Sequence, residues 1–166
     1  MQTLETDRLT IRSFRPDDWR DLHEMIVGYQ ASEYAQYDHK WPTSEKEIQG
    51  VAEWFAEGDS YVAVCLRATG KLIGLVAVAP KETDDGPAQG FGYIFHFDYH
   101  RQGYATEACQ AVIEHLINDL GVERFLCGTA KENIPSRGLL ARLGFRELGG
   151  GEYALTREEW LALQQT

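Results

Sequence analysis

Residues 100–108 read HRQGYATEA: three polar side chains, His100, Arg101 and Gln102, then Gly103, an aromatic and several small residues. The stretch before it, FGYIFHFDY (91–99), is rich in aromatics like a buried strand. The stretch after it, CQAVIEHLINDLG (109–121), follows Ala108 with Val112, Leu116 and Leu120 at four-residue intervals. Ile113 and Ile117 widen that stripe, Glu107 suits a first turn and Gly121 a stop, so a helix is expected. A strand that runs into a helix N-terminus leaves backbone N–H groups unpaired at the positive end of the helix dipole, which is an anion site. Gly103 permits close backbone approach, Ala105 keeps the first turn uncluttered and Arg101 brings a charge for phosphate. A purely structural turn uses the same residue types, so this pattern alone leaves both readings open.

Other chemistries find little support. A Walker A loop needs GxxxxGK[ST], but Gly70-Lys71 is followed by Leu72, and no GxGxxG occurs. His23-Glu24 is followed by Val27 where an HExxH motif has its second histidine, and the five histidines show no ligand spacing, so no metal is expected. Cys65, Cys109 and Cys127 lack CxxC spacing and read as small buried hydrophobes, with a reactive thiol at Cys109 or Cys127 the alternative. A formal charge of −10 opposes general nucleic-acid binding and favours a cationic partner such as an amine.

The elements that position the loop are legible from periodicity and turn chemistry. RLTIRSF (8–14) alternates like a strand, and Pro16-Asp17-Asp18 opens a helix to about Val27. A connector rich in aromatics, GYQASEYAQYDHKWPTS (28–44), precedes a helix to about Ala56, started by the capping-box pair Ser44 and Glu47. Strands are expected at 60–67, 71–80 and 89–97, a further strand at 124–130, a helix from Pro135 to Leu143, then extended 144–148 and 152–155 and a terminal helix over 156–163. The hairpins predict antiparallel pairs, and strand–helix–strand through 89–130 predicts a parallel crossover. One domain over 1–166 is expected, α/β in class. No apolar run suits a membrane span and the charged N-terminus does not suit a secretory signal, so a cytoplasmic protein with no membrane partner is expected.

With these elements in place, GYIFHFDYHRQGYATEA (92–108) resembles the pyrophosphate loop of the GNAT N-acetyltransferase superfamily, in particular its ribosomal-protein-alanine acetyltransferase-like (RimJ/RimL) branch. The family motif Q/R-x-x-G-x-G/A falls on His100, Gly103 and Ala105. ETDRLTIRSFRPDDW (5–19), NIPSRGLLARLGFRELG (133–149) and EYALTREEW (152–160) are similar to further blocks of the branch, in the same order. The resemblance implies a mixed, mostly antiparallel sheet of about seven strands, with helices on both faces and a splayed parallel strand pair. Two departures stand out. His100 replaces the usual glutamine or arginine, with Arg101 beside it, and the segment between LGF and YALTREEW is short, which bears on the acceptor.

The resemblance also implies the activity: transfer of an acetyl group from acetyl-CoA to an amine, a protein N-terminus or a small molecule, by direct attack in a ternary complex. The backbone around Phe95, His96 and Phe97 would pair with the pantetheine amides, and the N–H groups of Arg101, Gln102, Gly103, Tyr104, Ala105 and Thr106 would hold the pyrophosphate. Asn133 would contact the pantetheine arm, Ser136 would protonate the departing thiolate, and Arg137 is either a phosphate contact or a solvated helix residue. Helix capping is the plain alternative for Asn133 and Ser136. The strand glutamate of many relatives is absent; Gln89, Gly90 and Phe91 stand there. His96 is the leading candidate base, with Asp98, Glu152, Tyr93, Asp38, His39 or a water relay as alternatives. A monomer or homodimer is expected. The alternative functions are a non-catalytic acyl-CoA-binding module and a transferase of a bulkier acyl group.

Overall fold

The strand Tyr61–Leu66 divides the core in two by alternating faces: Val62 and Val64 pack into one cluster, Ala63 and Cys65 into the other. That is the period-two geometry of a strand covered on both faces. The computed structural model describes residues 1–165. Among them the chain forms strands β1 (Leu4–Glu5), β2 (Leu9–Ser13), β3 (Tyr61–Leu66), β4 (Leu72–Thr83), β5 (Gly86–Phe95), β6 (Arg124–Gly128), β7 (Arg146–Gly149) and β8 (Glu152–Thr156). The helices are α1 (Trp19–Gln30), α2 (Glu45–Glu57), α3 (Tyr104–Leu120), α4 (Ile134–Leu143) and α5 (Arg157–Gln164).

The strands make one sheet in the order β1-β2-β3-β4-β5-β6-β8-β7, antiparallel throughout except for β5 beside β6. Leu22, Met25 and Ile26 of α1 and Ile48, Ala52 and Phe55 of α2 pack on one face. The apolar stripe of α3, with Leu139, Leu140 and Leu143 of α4 and Trp160 of α5, packs on the other. Ser44 Oγ accepts the Glu47 N–H at 3.2 Å to start α2, but the Glu47 carboxylate takes the Ser44 hydroxyl at 2.8 Å, so the reciprocal half of the expected capping box does not form. Gly121 ends α3 in the left-handed conformation. Among the described residues no helix is long and apolar enough to cross a membrane.

Three details depart from expectation. The sheet has eight strands rather than about seven, because the two-residue β1 pairs Leu4 with Ile11 and Glu5 with Thr10. A two-residue strand has no periodicity to read. The strand expected over 89–97 ends at Phe95, where His96 accepts the Asp98 N–H on Nδ1 and starts a 3-10 turn over Phe97–Tyr99. The connector also contains a 3-10 turn, Glu33–Tyr37, capped by Ser32.

The parallel pair positions the site. β5 and β6 are in register only at Gln89 with Phe125 and Gly90 with Leu126. Beyond that point β5 continues beside β4 to Gly74–Phe95, while β6 stays with β8 to Gly128–Glu152. The two strands separate, and the gap between them opens at the end of β5 that leads to the loop.

Candidate active site

The loop between β5 and α3 is bent by two left-handed residues, Arg101 at φ 63° and Gly103 at φ 82°. The conformation costs nothing at Gly103 but is unfavourable at Arg101, whose Cβ crowds the backbone. Gly103 is the N-cap of α3, and the first helical bond runs from the Glu107 N–H to the Gly103 carbonyl at 3.0 Å. The N–H groups of Tyr104, Ala105 and Thr106 therefore precede any intrahelical acceptor and lie at the positive end of the helix. His100 borders the cleft, but its Nε2 lies 2.9 Å from the Phe95 carbonyl and ties the loop to the end of β5. The charge at the cleft comes instead from Arg101 and from Arg142 on α4, whose Nε donates to Thr106 Oγ1 at 3.3 Å.

A clamp from the other end of the chain holds this loop. Arg8 donates from Nε to Glu107 Oε1 at 2.7 Å and from Nη1 to the Gln102 carbonyl at 2.9 Å, and its guanidinium lies 4.1 Å from the Tyr104 ring centroid. Thr6 Oγ1 and the Arg8 N–H both donate to Glu107 Oε2, at 2.5 and 3.0 Å. Partial burial works to raise the Glu107 pKa, but these donors outweigh it and hold the carboxyl below the ordinary range. A Cβ on Gly103 would lie 3.3 Å from Arg8 Nη2, so the clamp leaves little space for a side chain there.

The cleft above the loop carries Arg101 and Arg142 and, among the described residues that border it, no carboxylate. A second compartment lies in the gap between β5 and β6. Both are lined by Tyr29, Tyr93, Ile94, Asn133 and Ser136. At this junction the Tyr93 hydroxyl lies 2.6 Å from Ser136 Oγ. Burial, with the nearby Cys127 adding to it, raises the Tyr93 pKa far above the ordinary phenol value, so at neutral pH its oxygen keeps its proton. Asn133 Oδ1 accepts the Ser136 N–H at 3.3 Å and caps α4, whose first turn contains Pro135.

The residues singled out from the sequence divide clearly. Phe95, Phe97, Arg101, Gly103, Tyr104, Ala105, Thr106, Asn133 and Ser136 all border the cleft. Gln102 does not: its side chain donates to the Asp98 carbonyl at 3.2 Å. Nor does His96, which is buried on the α1 side with Nε2 2.8 Å from Glu24 Oε2 and Nδ1 taken by Asp98. Arg137 also points elsewhere, with Nε on the Tyr153 hydroxyl at 3.1 Å. Asp98 and Glu152 border neither compartment, whereas Asp38 and His39 border the second. Arg142 and Ser32 also line the cleft, although no local motif marks them and only packing brings them there.

A sheet splayed at its one parallel pair, with a left-handed turn and a helix N-terminus at the opening, defines the class. Residues 8–146 match the acetyltransferase (GNAT) domain family, and the chain belongs to that family of N-acetyltransferases. An uncharacterised N-acetyltransferase of Bacillus subtilis, YnaD, is 28% identical over 172 residues, covering 95% of this chain and 98% of the relative. A GNAT-family acetyltransferase structure from Bacillus anthracis superposes with a TM-score of 0.83 at 23% identity, over 95% of this chain and 99% of that one. Mycobacterium smegmatis RimJ, solved with CoA-disulfide, superposes with a TM-score of 0.74 at 19% identity, over 91% of this chain and 83% of that one.

Proposed function

We propose that this protein transfers the acetyl group of acetyl-CoA to a primary amine by direct attack in a ternary complex. The observation that carries the reading is the junction of two compartments of opposite charge at Tyr93 and Ser136, with Arg101 and Arg142 on one side and Asp38 on the other.

The residues present fit acetyl-CoA. Its diphosphate suits the N–H groups of Tyr104, Ala105 and Thr106 between Arg101 and Arg142, at a turn where Gly103 leaves the backbone uncovered. Its pantetheine arm suits the cleft edge along Phe95 and Phe97, with the Asn133 amide nitrogen free to turn toward it because Oδ1 is the capping atom. Acetyl-CoA supplies a thioester whose carbonyl is open to attack. The amine nitrogen bonds to that carbon, the carbon–sulfur bond breaks, and the departing sulfur takes a proton from Ser136 Oγ. Tyr93, hydrogen-bonded to Ser136, replaces that proton and takes one back from water. The proton released by the nitrogen passes to water. His96 holds the end of β5 against α1 rather than acting as base, because both of its ring nitrogens are engaged away from the cleft.

Thermal unfolding with ~1 mM acetyl-CoA, free CoA or ATP tests the first half. At a Kd near 10 μM the linked stabilisation is about 2.7 kcal/mol, a rise of several degrees for acetyl-CoA and CoA and little for ATP. Thiol release on adding primary amines tests the second half. Binding without release under any amine would leave an acyl-CoA-binding module and remove the transfer step.

A further inference from the structure

The second compartment is lined by rings and by a single carboxylate. Among the described residues that border it, Asp38 is the one acidic side chain and no lysine or arginine is present. Tyr29, Tyr37, Trp41, Tyr61 and Tyr93 supply aromatic surface around it. Asp38 is held in place: Oδ2 accepts the Tyr29 hydroxyl and the Trp41 indole N–H, both at 3.2 Å, and Oδ1 accepts the His39 backbone N–H at 2.8 Å. His39 Nδ1 lies 3.0 Å from the same Oδ1, and the Asp38 side chain keeps 32% of its surface exposed. A fixed carboxylate between aromatic faces attracts an organic cation through both charge and ring quadrupole.

That charge is ill suited to the reacting nitrogen itself. An adjacent negative charge favours the ammonium form, whereas attack on the thioester requires the free amine. Asp38 borders only the second compartment, while Tyr29, hydrogen-bonded to it, borders both. The useful partner for Asp38 is therefore a second, non-reacting ammonium on the acceptor.

Resting on the transferase reading above, we infer that the acceptor is a small aliphatic diamine, one amino group reaching Ser136 and the other remaining charged against Asp38 among the rings. A compartment whose described lining has one carboxylate and no lysine or arginine also disfavours acceptors that end in a carboxylate.

Three probes of matched length test this: 1,5-diaminopentane, pentylamine and 5-aminopentanoate. Each is assayed for thiol release at saturating acetyl-CoA and for binding to the CoA-loaded protein by calorimetry. The expected order of kcat/KM is diamine, then monoamine, then amino acid, with a gap of about 10-fold or more between the first two. In Asp38→Asn the diamine-to-monoamine ratio falls by about 10- to 100-fold, mainly through KM, in a variant whose unfolding midpoint still rises with acetyl-CoA. The order among the probes on the unaltered protein decides the matter even if the variant does not fold. Equal kcat/KM for all three, or a ratio unchanged in Asp38→Asn, overturns the diamine inference while leaving the transferase reading intact. Charge-ordered binding without thiol release supports the cation compartment and removes the transfer step instead. No binding and no turnover with any probe overturns the inference.

Discussion

At the scale of single residues, the Ser136 hydroxyl matters because of its 2.6 Å contact with Tyr93 and its place in both compartments. Ser136→Ala removes the proposed proton donor and leaves the cap from Asn133, which uses the backbone of residue 136, in place. The expected outcome is a fall in kcat of about 100-fold with the acetyl-CoA-induced midpoint rise retained. An unchanged kcat in thiol release would assign Ser136 to capping alone. The cysteines give a second residue-level prediction. Burial pushes the Cys65 thiol up to about 11, and burial with the charge of Glu152 pushes Cys127 up to about 12. Cys109 is fully enclosed and its thiol is raised further by the same cause. All three should resist a thiol-specific chromogenic reagent at pH 7.5 until denaturant is added, and rapid labelling of the native protein would contradict this.

At the scale of elements, the β5–α3 loop combines a residue under backbone strain with a charge directed to the cleft, both at Arg101. Two substitutions separate those properties. Arg101→Ala removes the charge and keeps a Cβ at φ 63°, whereas Arg101→Gly removes both. Arg101→Gly should be more stable than Arg101→Ala by about 1 kcal/mol in denaturant unfolding, since glycine enters this region without penalty. Both should bind acetyl-CoA about 10-fold more weakly than the parent, by loss of one charge-assisted contact. Equal stability of the two variants would show that the loop relaxes out of the left-handed region. The loop was legible because its signals are local: a glycine at the N-cap, small residues in the first turn and an apolar stripe behind them.

At the scale of the molecule, Glu107 fastens the first strands to α3 through Thr6 and Arg8, about a hundred positions earlier in the chain. Its folded pKa lies below the ordinary 4.5, so its stabilisation is complete above that pH and is lost as the pH falls through the depressed value. Arg8 is 42% exposed, which places Glu107→Gln at the modest end, about 1.5 kcal/mol at pH 7. For a domain of this size that is a midpoint lowered by about 3–6 °C. Midpoints of the two proteins should converge as the pH drops below 4.5; a difference that persists undiminished to pH 3 would show that the carboxylate charge is not its source.

The sequence by itself determined whatever repeats or caps within a few residues. The α3 stripe, the Ser44 cap, the Asn133–Pro135 helix start and the alternation of β2 are interactions between near neighbours, so residue type and spacing were enough to read them. Tertiary structure alone decided which side chains face the cleft. His96 stands beside the splayed strand end in sequence, yet the turn after Phe95 directs its ring to Glu24, 72 positions away. Ser136 meets Tyr93 across 43 positions and Arg8 meets Glu107 across 99, separations that no local pattern encodes. Such pairs are set by strand register and by how helices seat on the sheet, and those exist only once both faces are packed.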